Sequence, residues 1–166
     1  MMFVKDDIVI YGSSGLCKVL GITEKEFGET SFKYYELIPV YDDKSALYVP
    51  VTNQNLVDKM HKVLSPDNIK DVIKTIYNED YIWIEDETER KEYYKKVIEI
   101  GYRYELVKAI KAVYYHSKKQ EELKKKVHIC DERFLKDAQK MLFDEIAYVL
   151  EIERNQVLEY IKKGCF

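Results

Sequence analysis

The hydrophobic pattern of this chain changes period once, near Pro50, and that change limits what it can fold into. Before it lie short runs rich in β-branched and aromatic residues: Asp7–Tyr11, Leu16–Ile22, Lys33–Val40 and Ala46–Val49. Such runs suit a pleated, half-buried surface. Between them stand the turn signals Gly12-Ser13-Ser14-Gly15, Glu26-Phe27-Gly28-Glu29 and Tyr41-Asp42-Asp43-Lys44. Strands recurring every 10–13 residues predict a small, bent antiparallel sheet or barrel.

Beyond Pro50 the spacing is helical. Ser65-Pro66-Asp67 starts a helix carrying Ile69, Val72, Ile73 and Ile76, and Asn78-Glu79-Asp80 breaks it. Glu87–Ile100 ends at Gly101, placed to take the left-handed conformation after a helix. Arg103–His116 puts Leu106, Val107, Ile110, Val113 and Tyr114 on one face. Asp131 is expected to cap a helix whose buried stripe is Phe134, Leu135, Ala138, Met141, Leu142, Ile146, Val149 and Leu150. A short last helix carries Val157, Leu158 and Ile161. The pattern predicts an α+β protein: a β domain over residues 1–60 and an all-helical domain over 66–166, joined around 51–66.

Charge is divided as unevenly as structure. Residues 1–80 carry 9 Lys/Arg against 13 Asp/Glu, and residues 81–166 carry 18 against 17. Within the second half, residues 95–126 hold ten cations against Glu99, Glu105, Glu121 and Glu122. A local cationic field attracts phosphate even when the whole chain is acidic, because salt screens charges beyond about 10 Å. The alternative for any lysine-rich helix is a plain solvated face.

Several functions are disfavoured. No Gly-rich phosphate loop, GxSxG or HExxH is present, His61, His116 and His128 are scattered, and no cofactor is expected. His128 and Cys130 lie two apart, but their neighbours supply no further ligand by spacing, so no metal is expected. Cys17, Cys130 and Cys165 are odd in number and lack CxxC spacing, which predicts a reducing, cytoplasmic setting. Neither a signal peptide nor a membrane span is expected, and a monomer is the default.

The run Phe3-Val4-Lys5-Asp6-Asp7-Ile8-Val9-Ile10-Tyr11, closing through a turn on Gly15, resembles the opening of CarD and CdnL transcription regulators. It is also similar to the polymerase-interacting module of transcription-repair coupling factors. Tyr34-Tyr35-Glu36-Leu37, Leu47-Tyr48-Val49-Pro50 and the stretch from Asp131 through Glu145-Ile146-Ala147 resemble the same family in order and spacing. Asp6 stands where the family usually has Gly, Gly12 where it has Pro, and Ser14 where His is frequent.

The resemblance implies a Tudor/SH3-like antiparallel barrel docking on the β subunit of RNA polymerase through Lys25, Leu47 and Tyr48. It further implies that Trp83, the only tryptophan, wedges into promoter DNA at the upstream edge of the bubble. Phosphate contacts would come from Arg90, Lys91, Lys95, Lys111 and Lys118, without sequence specificity. The expected function is non-enzymatic stabilisation of the open complex. Glu79, Asp80, Glu85, Asp86, Glu87 and Glu89 crowd Trp83, which favours a second reading, an adaptor that docks polymerase or another partner without touching DNA. A third is a small-ligand or methyl-lysine reader using Tyr11, Tyr35 and Tyr48 as an aromatic cage.

Overall fold

In the computed structural model, which describes residues 2–41, 45–78 and 80–164, the chain divides into two units, residues 1–63 and 64–166. The first holds the strands β1 (Ile8–Tyr11), β2 (Leu16–Phe27), β3 (Thr30–Pro39), β4 (Leu47–Pro50) and β5 (Met60–Lys62). They form one antiparallel sheet in the order β4-β3-β2-β1-β5. The fold is therefore α+β, as the period change predicts. The expected barrel closure is not seen: among the described residues β4 and β5 remain edges, with no ladder joining them.

Two parts of this sheet escape the hydrophobic pattern. β2 and β3 run on to a two-residue turn at Gly28-Glu29, with Phe27 paired to Thr30. Their outer halves are held by pairing rather than by burial, as when Ser31 Oγ donates to Glu24 Oε1 at 2.7 Å. A bulge between Val19 and Gly21, where Gly21 takes φ 142°, shifts the register. Residues 51–63, expected to be a connection, hold a four-residue helix α1 (Gln54–Val57) capped by Asn53, and then β5. Neither is long enough to show a period. The turn expected at Asp42–Lys44 lies outside the described residues. Val9, Cys17, Val19, Tyr35, Leu37 and Val49 form the core, with Phe3 edge-on to Tyr35 at 5.9 Å.

Asp6 occupies the third position of a turn in which Asp7 N donates to Val4 O at 3.1 Å, and its φ is 74°. That conformation suits glycine, which the resemblance places there. Here the aspartate holds it with a 2.6 Å pair to Lys18, and its amide donates to Val19 O. Asp6→Gly should therefore leave stability unchanged or raise it by up to about 1 kcal/mol, whereas Asp6→Val should lower it by about 1–3 kcal/mol in urea unfolding.

The second unit is helical: α2 (Pro66–Asn78), α3 (Glu87–Ile100), α4 (Arg103–Glu122), α5 (Ile129–Val149) and α6 (Val157–Lys163). Ile69, Val72 and Ile73 of α2, Leu106, Val107 and Val113 of α4, and Phe134, Ala138, Met141, Leu142 and Ile146 of α5 are buried. Gly101 ends α3 with φ 63°, as expected. The cap expected at Asp131 is corrected: α5 begins at Ile129 with His128 at the N-cap, and Asp131 turns inward, 1% exposed. Leu135, Val149 and Leu150 of the expected stripe are only half-buried, while Glu145 is buried.

Glu145 faces Arg103, which donates from Nε to Oε2 and from Nη2 to Oε1, both at 2.8 Å. Leu64 N donates to Oε1 at 2.9 Å, and Arg103 Nη1 reaches Gly101 O at 2.6 Å. Removing one partner of such a pair strands a charge in the interior. Glu145→Ala should cost about 3–5 kcal/mol in chemical denaturation, and the double change Arg103→Met with Glu145→Leu should recover part of that loss.

Candidate functional site

Alternation along β3 buries Tyr35 and Leu37 and turns Phe32, Tyr34 and Glu36 to the opposite face. Register sets Lys25 of β2 across from Phe32, and Tyr48 of β4 across from Glu36. Tyr48 Oη donates to Glu36 Oε1 at 3.0 Å, which raises the phenol's pKa above its ordinary value. The Lys25 ammonium lies 3.1 Å from the centroid of the Tyr48 ring, and Tyr34 meets that ring edge-on at 6.5 Å. Phe27 and Phe32, both exposed, pair at 6.2 Å toward the hairpin tip. Leu47 belongs to the other face, packed half-buried on the core. Lys25 and Tyr48 thus come together and Leu47 does not join them.

Among the described residues β4 pairs only with β3, so its outer edge offers backbone groups that the sheet leaves unused there. Tyr35 lies in the core and Tyr11 is half-buried against it, so an aromatic cage of Tyr11, Tyr35 and Tyr48 is not assembled.

In the helical unit, Arg90 organises the segment before α3. It is 4% exposed and donates from Nε to Asp131 Oδ1 at 2.9 Å. Its Nη1 binds the carbonyls of Ile84 and Glu85 at 2.8 and 3.0 Å. Tyr94 Oη donates to the same Asp131 oxygen at 2.9 Å; burial first, and then this bond, pushes the phenol's pKa far up. Arg90 Cζ also lies 4.4 Å from the Trp83 ring centroid, and the His116 ring stacks on the indole at 3.6 Å and 5°. The indole is half-buried, and its Nε1–H meets no acceptor among the described residues.

A concavity of about 290 Å³ opens here, lined among others by Trp83, Glu85, His116, Lys125 and Lys126. Beside it Ile82 stands 84% exposed, and Tyr81 stacks on Tyr115 at 5.0 Å. Lys95 is exposed, Lys111 half-buried, and Lys118 sits 5.1 Å from the Tyr114 ring. Lys91 reaches Glu87 at 2.5 Å on the surface of α3.

Residues 3–64 match the family model described as the CarD-like/TRCF RID domain. The chain carries a CarD-like polymerase-interacting domain. This domain type is an interaction module rather than a catalytic one. No curated protein matches the chain. Among the described residues no helix is long and apolar enough to cross a membrane.

The CarD-like match spans the sheet, α1 and β5, and so includes the face that holds Lys25 and Tyr48. Sequence reasoning missed Glu36, which register could have paired with Tyr48, and His116, which the pattern on α4 leaves without a role. It counted Lys125 and Lys126 in the basic run without placing them beside Trp83. It also set aside His128 and Cys130 for want of a third ligand by spacing; the fold brings a Glu87 carboxylate oxygen within 4.8 Å of their donor atoms.

His116 carries a measurable signature. Burial, its largest influence, lowers the imidazole pKa below the ordinary 6.5. The neutral ring is the form the fold favours, so this stability is fully present above 6.5 and is lost as pH falls through the lower folded value. Emission of the single tryptophan should titrate with a midpoint below 6.5, and His116→Phe should remove that step.

Proposed function

We propose that this protein docks on RNA polymerase through its CarD-like domain and brings its helical unit against promoter DNA at the upstream edge of the bubble. That contact would stabilise the open complex without catalysis. The observation that carries the docking half is the family match over residues 3–64. In this reading the partner is the polymerase β subunit, met by the unpaired edge of β4 and the Lys25–Tyr48–Glu36 cluster. A partner strand adds to such an edge through backbone bonds, while side chains set register. Leu47 supports the strand from behind.

The DNA half rests on the helical surface. Lys91, Lys95, Lys111, Lys118, Lys125 and Lys126 are the phosphate contacts, and Arg90 is reassigned from phosphate to positioning, because its guanidinium faces inward to Asp131. Trp83 remains the aromatic of the wedge, held by His116, and the neighbouring Ile82 is the apolar side chain most open to a base step. Inserted apolar side chains offset lost base stacking and keep a duplex distorted. The competing adaptor reading draws on the internal neutralisation of Arg90 and Arg103, which takes two cations out of the surface field.

Open-complex lifetime with purified polymerase tests both halves. The protein should lengthen it. Lys25→Glu should weaken polymerase binding at least tenfold and abolish the effect. Ile82→Ser and Trp83→Ala should shorten the lifetime while leaving polymerase binding intact. The joint change Lys125→Ala and Lys126→Ala should reduce the salt slope of DNA affinity by about 1–2. Intact docking with no change in lifetime would leave the adaptor, and no binding to polymerase would overturn the proposal.

A further inference from the structure

The run His128-Ile129-Cys130 stands at the start of α5, and Glu87 stands at the start of α3. The fold brings these two helix starts together. Arg90 of α3 and Asp131 of α5 form a buried 2.9 Å pair, with side-chain exposures of 4% and 1%. Each lies three residues after a potential ligand: Glu87 precedes Arg90, and His128 precedes Asp131. Residues three apart share a helix face, so the buried pair holds the residues one turn earlier opposite one another. A carboxylate oxygen of Glu87, a ring nitrogen of His128 and Cys130 Sγ all lie within 4.8 Å of one another.

We infer that Glu87, His128 and Cys130 form a transition-metal site of the zinc class, tying the start of α3 to the start of α5. Thiolate, imidazole and carboxylate together are the donor set that Zn²⁺ takes, at about 2.0–2.3 Å per bond. Tetrahedral geometry at those lengths puts neighbouring donors about 3.3–3.7 Å apart. His128 Nδ1 and Glu87 Oε2 already stand 3.7 Å apart. The other two separations are at most 4.8 Å and close by about 1 Å through side-chain rotation. Cys130 is half-buried and gives up its proton to water on binding; at present its Sγ faces Asp131 Oδ1 at 3.6 Å.

Electrostatics allow the ion. Two helix N-termini contribute roughly half a positive charge each, against one thiolate and one carboxylate. Lys91 holds the other carboxylate oxygen, Oε1 of Glu87, and need not leave. Three protein donors leave the fourth position to water. His128 also lines the concavity beside Trp83, so the ion would fix one wall of it. The inference stands on these residues and not on the reading of polymerase or DNA contact.

Cobalt(II) added to the metal-stripped full-length protein tests it by absorption, followed by zinc titration against a chromogenic chelator. One equivalent should bind, with a thiolate-to-cobalt band in the near ultraviolet and the visible bands of a tetrahedral centre. Cys130→Ser should erase the thiolate band, His128→Asn and Glu87→Gln should each weaken zinc at least tenfold, and Cys165→Ser should retain the band. Should Cys130→Ser not fold, the exposed His128→Asn still decides the matter. A wild-type protein without the thiolate band, a band lost in Cys165→Ser, or zinc held as tightly by Glu87→Gln or His128→Asn overturns the site.

Discussion

A guanidinium sealed inside the helical unit sets the position of the segment that precedes α3 and of the side chains it shows to solvent. Arg90 gives Asp131 two of its donors and the carbonyls of Ile84 and Glu85 another, so a segment with no helical hydrogen bonds of its own is tied down by one side chain. Backbone carbonyls in such a segment need partners, and an arginine with five fixed donors can serve several at once. Trp83, one residue before Ile84, is carried along and pressed against the His116 ring. The exposure of Ile82 follows from the same anchoring. Fixing the residues on either side of a turn decides which side chain points away.

In the sheet unit the equivalent constraint is register. Side chains alternate between faces except at the Val19–Gly21 bulge, which sets Lys25 on the face opposite Val19, so a slip of one residue would exchange the Lys25–Tyr48–Glu36 face with the core. Val19, Tyr35, Leu37 and Val49 prevent the slip because each is buried on the inner face. The polar cluster is thus a by-product of core packing: the residues on the outer face are placed by the residues that face the core. Tyr48 then serves two neighbours, giving its hydroxyl proton to Glu36 while its ring face receives the Lys25 ammonium. A lysine held this way has little freedom left to lose, which would lower the entropic cost of the docking proposed above.

How much of this could be read from sequence depended on whether the feature had a period. The bounds of α3 and its terminal glycine follow from apolar spacing and from the backbone freedom of Gly101, and they were legible to the residue. Asp131 was misread because an aspartate before an apolar run looks like a cap, and only the distant Arg90 and Tyr94 turn it inward. Glu145 escaped for the same reason, since its partner Arg103 lies 42 residues away. The hairpin arms of β2 and β3 were cut short because their ends carry no buried stripe. Asp6 could be marked as a departure from glycine, yet its positive φ explains why glycine suits that place. Long-range pairing of charged groups has no local signature, so the charged core was invisible where the apolar core was plain.

The same pairing sorts the two kinds of cation. Of the four arginines, Arg90 and Arg103 are buried on carboxylates and Arg154 binds Asp144, so the surface field is almost wholly lysine. From residue 95 to 126 it consists of nine lysines against four glutamates once Arg103 is set aside. Arginine forks recognise guanine edges bidentately, and a lysine ammonium is a compact, mobile point charge suited to phosphate. On the DNA contact proposed above, such a surface would gain affinity from counterion release, which is blind to base sequence. Arginine is used inside, where planar forks satisfy buried carboxylates, and lysine outside, where geometry matters less than charge. In the proposed function, a duplex contact of that kind would act wherever the polymerase has melted DNA, leaving promoter choice to the polymerase itself.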